Sequence, residues 1–230
     1  MTDTGLLEPV RPSMGEADAR LLWYPHAEIV TPRMRTRGNY ADNYPRGAVV
    51  HFTAGRDQTE EQARNSVQHG RESGYAYFVI GPTGQVYQAC PLDEWGYHAG
   101  ESHWPGLGTG VSSKLVGIEI TNAGKLSNDR KSWFGLQYPE KETRTVKADY
   151  GCPAGVYKKY TIDQEEALIE LLLWLYQNNS SVFNLFYILG HHEVSGQEGV
   201  GFWRKNDPGG ALSMTMKSLR ALLIERAGRT

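Results

Sequence analysis

The stretch from Gly190 to Gly210 constrains this chain more than any other. It opens Gly-His-His-Glu-Val-Ser, crosses a glycine-rich bridge and closes on Arg-Lys-Asn-Asp-Pro-Gly-Gly. The apolar run Phe186-Tyr187-Ile188-Leu189 ahead of it reads as a buried strand, which ends at Gly190 and delivers His191 and His192 to its mouth. A loop then returns with Lys205 and Asp207 just before Pro208. Imidazole and carboxylate are both zinc ligands, and a site with three protein ligands keeps one position open for water. The stretch offers two ligand types, so a third must come from elsewhere. The best candidate is His51, near the end of a second β-like run, Val49 to Gly55. Spacing alone leaves the plain reading open, because Asp before Pro-Gly is ordinary turn chemistry and a lone histidine is commonly structural.

Composition narrows the classes. A chain of 230 residues with 40% hydrophobic content suits one full-sized domain. A net charge of -2 gives no basic excess and argues against a general nucleic-acid binder. Cys90 and Cys152 make no disulfide framework and are expected as free, partly buried thiols, although pairing is open to them. Residues 1–16 hold acidic residues and proline without the apolar core of a secretory signal. The longest apolar run, Leu168 to Tyr176, contains Glu170 and is too short to span a bilayer. A protein made in the cytoplasm without a signal peptide is therefore expected.

In chain order, residues 1–20 read as a tail or strap and 21–230 as a single domain, irregular at first and rich in aromatics to residue 46. Gly47 to Thr53 is a strand by pattern, with Val50 and Phe52 on one face and Val49, His51 and Thr53 on the other. Thr59 with Gln62 forms a capping-box pattern for a helix ending near Gly70. Tyr75–Ile80 and Gln85–Ala89 flank Gly-Pro-Thr-Gly as a β-hairpin. Leu92 to Pro105 mixes small and aromatic residues, a pattern that suits a groove wall or a core cover. Leu115 to Thr121 is a further strand, with Gly117, Glu119 and Thr121 opposite Val116, Ile118 and Ile120. Glu119 either faces solvent on a half-exposed sheet or faces a cleft, where burial raises its pKa toward that of a useful base.

Residues 122–160 are long, polar and basic, and unstructured loops of such length tend to be functional insertions. Thr161 and Gln164 then box the start of a helix whose buried face is Leu168, Leu171, Leu172 and Leu175. Ser213 caps a last helix with Met216, Leu219, Leu222 and Leu223 inward and Gly228 as its stop. Interleaved helices and strands with one hairpin give an α/β class: a central mixed sheet flanked by helices.

Six segments, taken in order, carry a family resemblance: His51 in Val-Val-His-Phe-Thr-Ala-Gly, Tyr77-Phe78-Val79-Ile80, His98-Ala99-Gly100, Gly117-Ile118-Glu119-Ile120, Gly190-His191 and Lys205-Asn206-Asp207-Pro208-Gly209. Over roughly residues 47–220 the chain resembles the zinc-dependent N-acetylmuramoyl-L-alanine amidases, which are related to peptidoglycan recognition proteins and phage lysins. The resemblance implies hydrolysis of the amide between N-acetylmuramic acid and L-alanine of peptidoglycan. It also implies one zinc per chain on His51, His191 and Asp207, with Glu119 as catalytic carboxylate and Lys205 as a fixed positive charge. Trp95 and His98 match a loop lining the family's cleft; Thr53 follows His51, and Arg204 suits a stem-peptide carboxylate.

The sequence departs from the family in a long connection between His191 and Asp207, where Gly196 to Phe202 reads as an insertion. His192 is expected beside the ligands rather than among them. Peptidoglycan or its fragments are the expected partner. Three roles are consistent with these residues: a phage-type lysin acting on the cell wall, which the single domain and the 122–160 insertion favour; a cytoplasmic recycling amidase; and a binding module that does not cut. The complete set of ligands with Glu119 argues against the last.

Overall fold

The computed structural model describes residues 21–197, 200–201 and 204–229. The expected tail at 1–20 lies outside the described residues, as does part of the 196–202 insertion. The principal sheet has six strands: β1 (Glu28–Ile29), β2 (Ala48–Phe52), β3 (Phe78–Ile80), β4 (Val86–Gln88), β5 (Val116–Ile120) and β9 (Ile188–Gly190), in the order β1-β4-β3-β5-β2-β9. The run β3-β5-β2-β9 is parallel, while β4 is antiparallel to β3, so the sheet is mixed as expected. The hairpin strands are shorter than the sequence pattern, and Gly84 closes their turn at φ +81°, where its N–H meets the Gly81 carbonyl at 3.0 Å.

Alternation along the strands sends two sets of side chains to opposite faces. On one face Val50, Phe78, Ile80, Ile118 and Ile120 pack against α2 (Ile162–Asn178) and α4 (Met216–Ala227) through Leu168, Leu171, Leu172, Leu175, Leu219 and Leu223. Burying each leucine stabilises the fold by about 1.5–3 kcal/mol. The other face carries Val49, Leu189, Val79, His51 and Glu119. It is covered by α1 (Glu60–Ser73) and by the segment around Ala99, Leu107 and Leu115. Both cysteines are buried free thiols.

Thr161 and Gln164 form the complete reciprocal box at α2. At α1 Thr59 caps Gln62, but the Gln62 side chain accepts from Gln58 N–H rather than from Thr59. Thr215, not Ser213, caps α4; Ser213 instead binds Glu165. The strand expected to begin at Phe186 begins at Ile188, because Leu185–Tyr187 forms a 3-10 turn that leaves Phe186 exposed. Residues 122–160 are not structureless: β6 (Lys125–Leu126), β7 (Thr143–Val146) and β8 (Gly155–Lys158) form a three-stranded antiparallel sheet, order β6-β8-β7. Its own small cores, around Leu126, Tyr138 and Val156 and around Val146 and Tyr157, account for that order.

Candidate metal centre and active site

The parallel strands place the site at their carboxyl ends, where open α/β sheets bind ligands. Register sets His51 on β2 directly opposite Glu119 on β5, on one face. β9 ends beside β2 at Gly190, and His191 opens a short helix, α3 (His191–Ser195), rather than a loop. That helix start is fixed by Glu193, whose carboxylate accepts the Gly190 N–H at 2.8 Å and is forked by Arg220 of α4 at 2.9 and 3.0 Å. His192 points away from the cluster and holds the Asp207 carbonyl through its backbone N–H and Nδ1, both at 2.9 Å. His192 therefore positions Asp207 by its backbone.

Three atoms converge. His51 Nδ1 lies 3.0 Å from His191 Nδ1 and 3.0 Å from Asp207 Oδ2, and His191 Nδ1 lies 2.9 Å from the same oxygen. All three residues are buried. The proton positions follow from the outer partners. The Leu115 carbonyl only accepts, so His98 Nε2 donates to it at 2.9 Å and His98 Nδ1 carries a lone pair. His51 Nε2 donates to that lone pair at 3.0 Å, which leaves His51 Nδ1 bare. His191 Nε2 likewise donates to the Ala99 carbonyl at 3.1 Å, leaving its own Nδ1 bare. Burial and the facing His191 push the His51 imidazole down to about 4, against the pull of Asp207. Two bare nitrogens and a carboxylate oxygen at these separations form a donor set that fits a divalent metal ion such as zinc.

Glu119 settles between its two readings in favour of the cleft. It is 7% exposed, and its Oε2 is buried with no hydrogen-bond partner. Burial, then the nearby Asp207 charge, raises its carboxyl to about 8, opposed by Lys205. It lines a pocket of about 380 Å³ with Thr53, Arg56, His69, Tyr75 and Trp133.

The strand face over Gly117 is filled by His98. A Cβ there would stand 2.8 Å from His98 Cγ, so the glycine makes room for the imidazole that orients His51. His98 accordingly packs behind the ligands instead of lining the pocket. Trp95 is half-buried against the main core, edge-on to Tyr97 at 5.4 Å. Neither it nor Arg204, which donates to the Glu101 carbonyl at 2.7 Å, lines the pocket with Glu119. Thr53 does. Trp133, inside the insertion, escaped the sequence reading; its only signal was Ser-Trp-Phe-Gly, an aromatic pair in turn context.

The relay gives a direct expectation. Outer partners of metal-ligating histidines contribute about 10–100-fold in metal affinity. His98→Ala and Gly117→Ala should each weaken metal binding by about that factor, as read by competition with a chelator. Unchanged affinity in both would remove the relay.

Comparison with known proteins places the fold. The chain resembles a selenomethionine derivative of AmpD at 18% identity and a TM-score of 0.54, over 87% of this chain and 96% of that one. It resembles AmpDh3 of Pseudomonas aeruginosa, solved with an anhydromuramic pentapeptide, at 22% identity and a TM-score of 0.51, over 87% of this chain and 66% of that one. It also resembles the AmiA hydrolase of Staphylococcus aureus, at 12% identity and a TM-score of 0.52, over 88% and 82%. At such identities the likeness concerns the fold. A sequence search among curated proteins finds no match. The family described as N-acetylmuramoyl-L-alanine amidase matches residues 41–210, a span that contains His51, Glu119, His191 and Asp207, and the chain belongs to that family.

Proposed function

We propose that this amidase is zinc-dependent, with His51, His191 and Asp207 as the ligands, and that it works on the wall polymer itself in the manner of a phage lysin. The observation that carries the zinc reading is the set of bare His51 Nδ1, bare His191 Nδ1 and Asp207 Oδ2 within 3.0 Å of one another. When bound, zinc supplies Lewis acidity toward the scissile carbonyl and toward water. Glu119 accepts the proton of the attacking water on the unpartnered Oε2 and passes it to the leaving amine of L-alanine. Lys205, close enough to pull the Glu119 carboxyl down, offers positive charge to the oxygen that becomes anionic. The amide cut joins the lactyl group of N-acetylmuramic acid to the stem peptide.

The polymer reading is supported by the insertion. Lys125, Leu126, Asp129, Lys131, Trp133 and Asn206 line a second groove that meets the Glu119 pocket at Trp133, its two lysines outnumbering the one carboxylate. Of the insertion's basic residues, Arg144 is spent on the Gly210 and Leu212 carbonyls and Lys158 pairs with Glu142 at 3.7 Å, whereas Lys125 and Lys131 are exposed. Lys125→Gln with Lys131→Gln should raise the sacculus concentration needed for half-maximal rate by a few-fold, less as salt rises, and leave soluble muropeptide turnover unchanged. No change on sacculi would remove this role for the groove. The recycling reading predicts the opposite preference. Rates on intact sacculi and on soluble muropeptide, compared with one enzyme preparation, distinguish the two. No helix among the described residues is long and apolar enough to cross a membrane.

A further inference from the structure

Trp133 is 78% exposed, and among the described residues it is the one large exposed apolar side chain that lines the Glu119 pocket. It is held rigidly. Trp133 and Phe134 sit at the centre of a tight turn closed by Gly135 N–H to the Ser132 carbonyl at 3.0 Å. Ser132, buried beneath, accepts the Leu136 N–H at 2.9 Å through Oγ. The indole N–H donates to the Ala54 carbonyl at 2.6 Å, three residues beyond His51. Ala54 adopts φ +51°, a left-handed conformation that costs a residue with a Cβ and that turns the chain beneath the indole. An aromatic ring already fixed in place binds a ligand with little further loss of conformational freedom.

The ring stands between two hollows. On one side lies the pocket with Glu119, on the other the groove with Lys131 and Asn206, and Asn206 sits between Lys205 and Asp207 in the chain. Whatever rests on the indole is therefore next to the scissile amide. In the amidase substrate that neighbour is either the muramic acid ring or the stem peptide. A stem peptide is flexible and carries carboxylates, which gain most from cations. A pyranose ring is rigid and turns a face of polarised C–H groups outward, which gains from the negative face of an indole.

We propose that Trp133 is the platform on which the saccharide ring of the substrate stacks, setting the lactyl amide against Glu119 and the metal ligands. The proposal rests on the amidase reading above. The zinc-loaded full chain, as wild type, Trp133→Ala and Trp133→Phe, should be assayed on two soluble substrates: N-acetylmuramoyl-tripeptide, and a lactyl-tripeptide that keeps the scissile amide without the sugar. Stacking on an aromatic ring corresponds to about 3- to 10-fold in affinity. Trp133→Ala should raise KM on the sugar substrate by about that factor with kcat little changed. Trp133→Phe, which keeps a ring but gives up the bond to Ala54, should fall between. On the lactyl-tripeptide all three should match, and free N-acetylmuramic acid should inhibit the wild type more strongly than Trp133→Ala. Equal losses on both substrates, or no loss on either, would overturn the platform. Equal zinc content among the three proteins shows that the ligand cluster is intact. A wild type that cleaves neither substrate would instead overturn the amidase reading beneath it.

Discussion

Replacing His191 with alanine is expected to yield a protein that holds no zinc and hydrolyses no wall amide. Among the described residues three donor atoms converge, and His191 offers one of them while its far nitrogen is committed to the Ala99 carbonyl. Its loss leaves His51 and Asp207 facing a void in a buried site. The contrast with His192→Ala makes the test specific, because His192 holds the Asp207 backbone and contributes no side-chain atom to the cluster. His192→Ala should cost about 10–100-fold in metal affinity, as outer partners do, while His191→Ala and His51→Ala should each remove the metal altogether. Metal analysis of the purified variants reads this directly. Full zinc in the His51→Ala protein, or loss in His192→Ala alone, would contradict the ligand set.

The second large effect is expected at Glu119. Glu119→Gln keeps the size of the side chain and loses the ability to accept a proton, which costs about 10²–10⁴-fold in rate when a general base is removed. Zinc content should persist, since Glu119 is not among the converging donor atoms. Only the carboxylate accepts the proton, so the wild-type rate should rise with pH as Glu119 ionises, and Glu119→Gln should lack that limb. Burial chiefly, then the Asp207 charge, pushes the carboxyl up from an ordinary 4.5 to about 8. The positive charge of a bound metal would move it lower, so the limb should lie below pH 8.

Stability gives an independent reading of the same group. A carboxyl raised in the folded state stabilises the protein fully below its unfolded pKa, and that contribution is lost as pH climbs through the folded value. Metal-stripped wild type should therefore lose stability between about pH 4.5 and 8 relative to Glu119→Gln, as measured by urea unfolding. Parallel stability curves together with near wild-type hydrolysis by Glu119→Gln would assign the proton transfer to another group.

The elements that position the site were legible where local pattern and packing agree. His51 and Glu119 fall on strand faces that alternation alone identifies, and the Thr161–Gln164 box marks the start of α2 to the residue. His98 was visible as a motif residue, but its work was not, since a contact between His98 and the unseen flank of Gly117 depends on a chain path that spacing does not encode. The start of β9 was set too early because Phe186 is apolar. The chain is still turning there, and its exposure is a tertiary outcome. The 122–160 segment looked unstructured because its strands are short and polar outward, with Tyr138 and Tyr157 supplying cores too small to leave a periodic signal. Trp133 was missed for a related reason: an exposed tryptophan in a loop has no pattern until the fold sets it beside Glu119.

Mass spectrometry of purified sacculi digested with the zinc-loaded protein tests the central claim most directly. Release of stem peptides with new L-alanine amino termini, from glycan strands left at full length with free lactyl carboxyls, is the expected result. Cleavage within the glycan, cleavage between stem-peptide residues, or no release by a protein that carries its full zinc would contradict it.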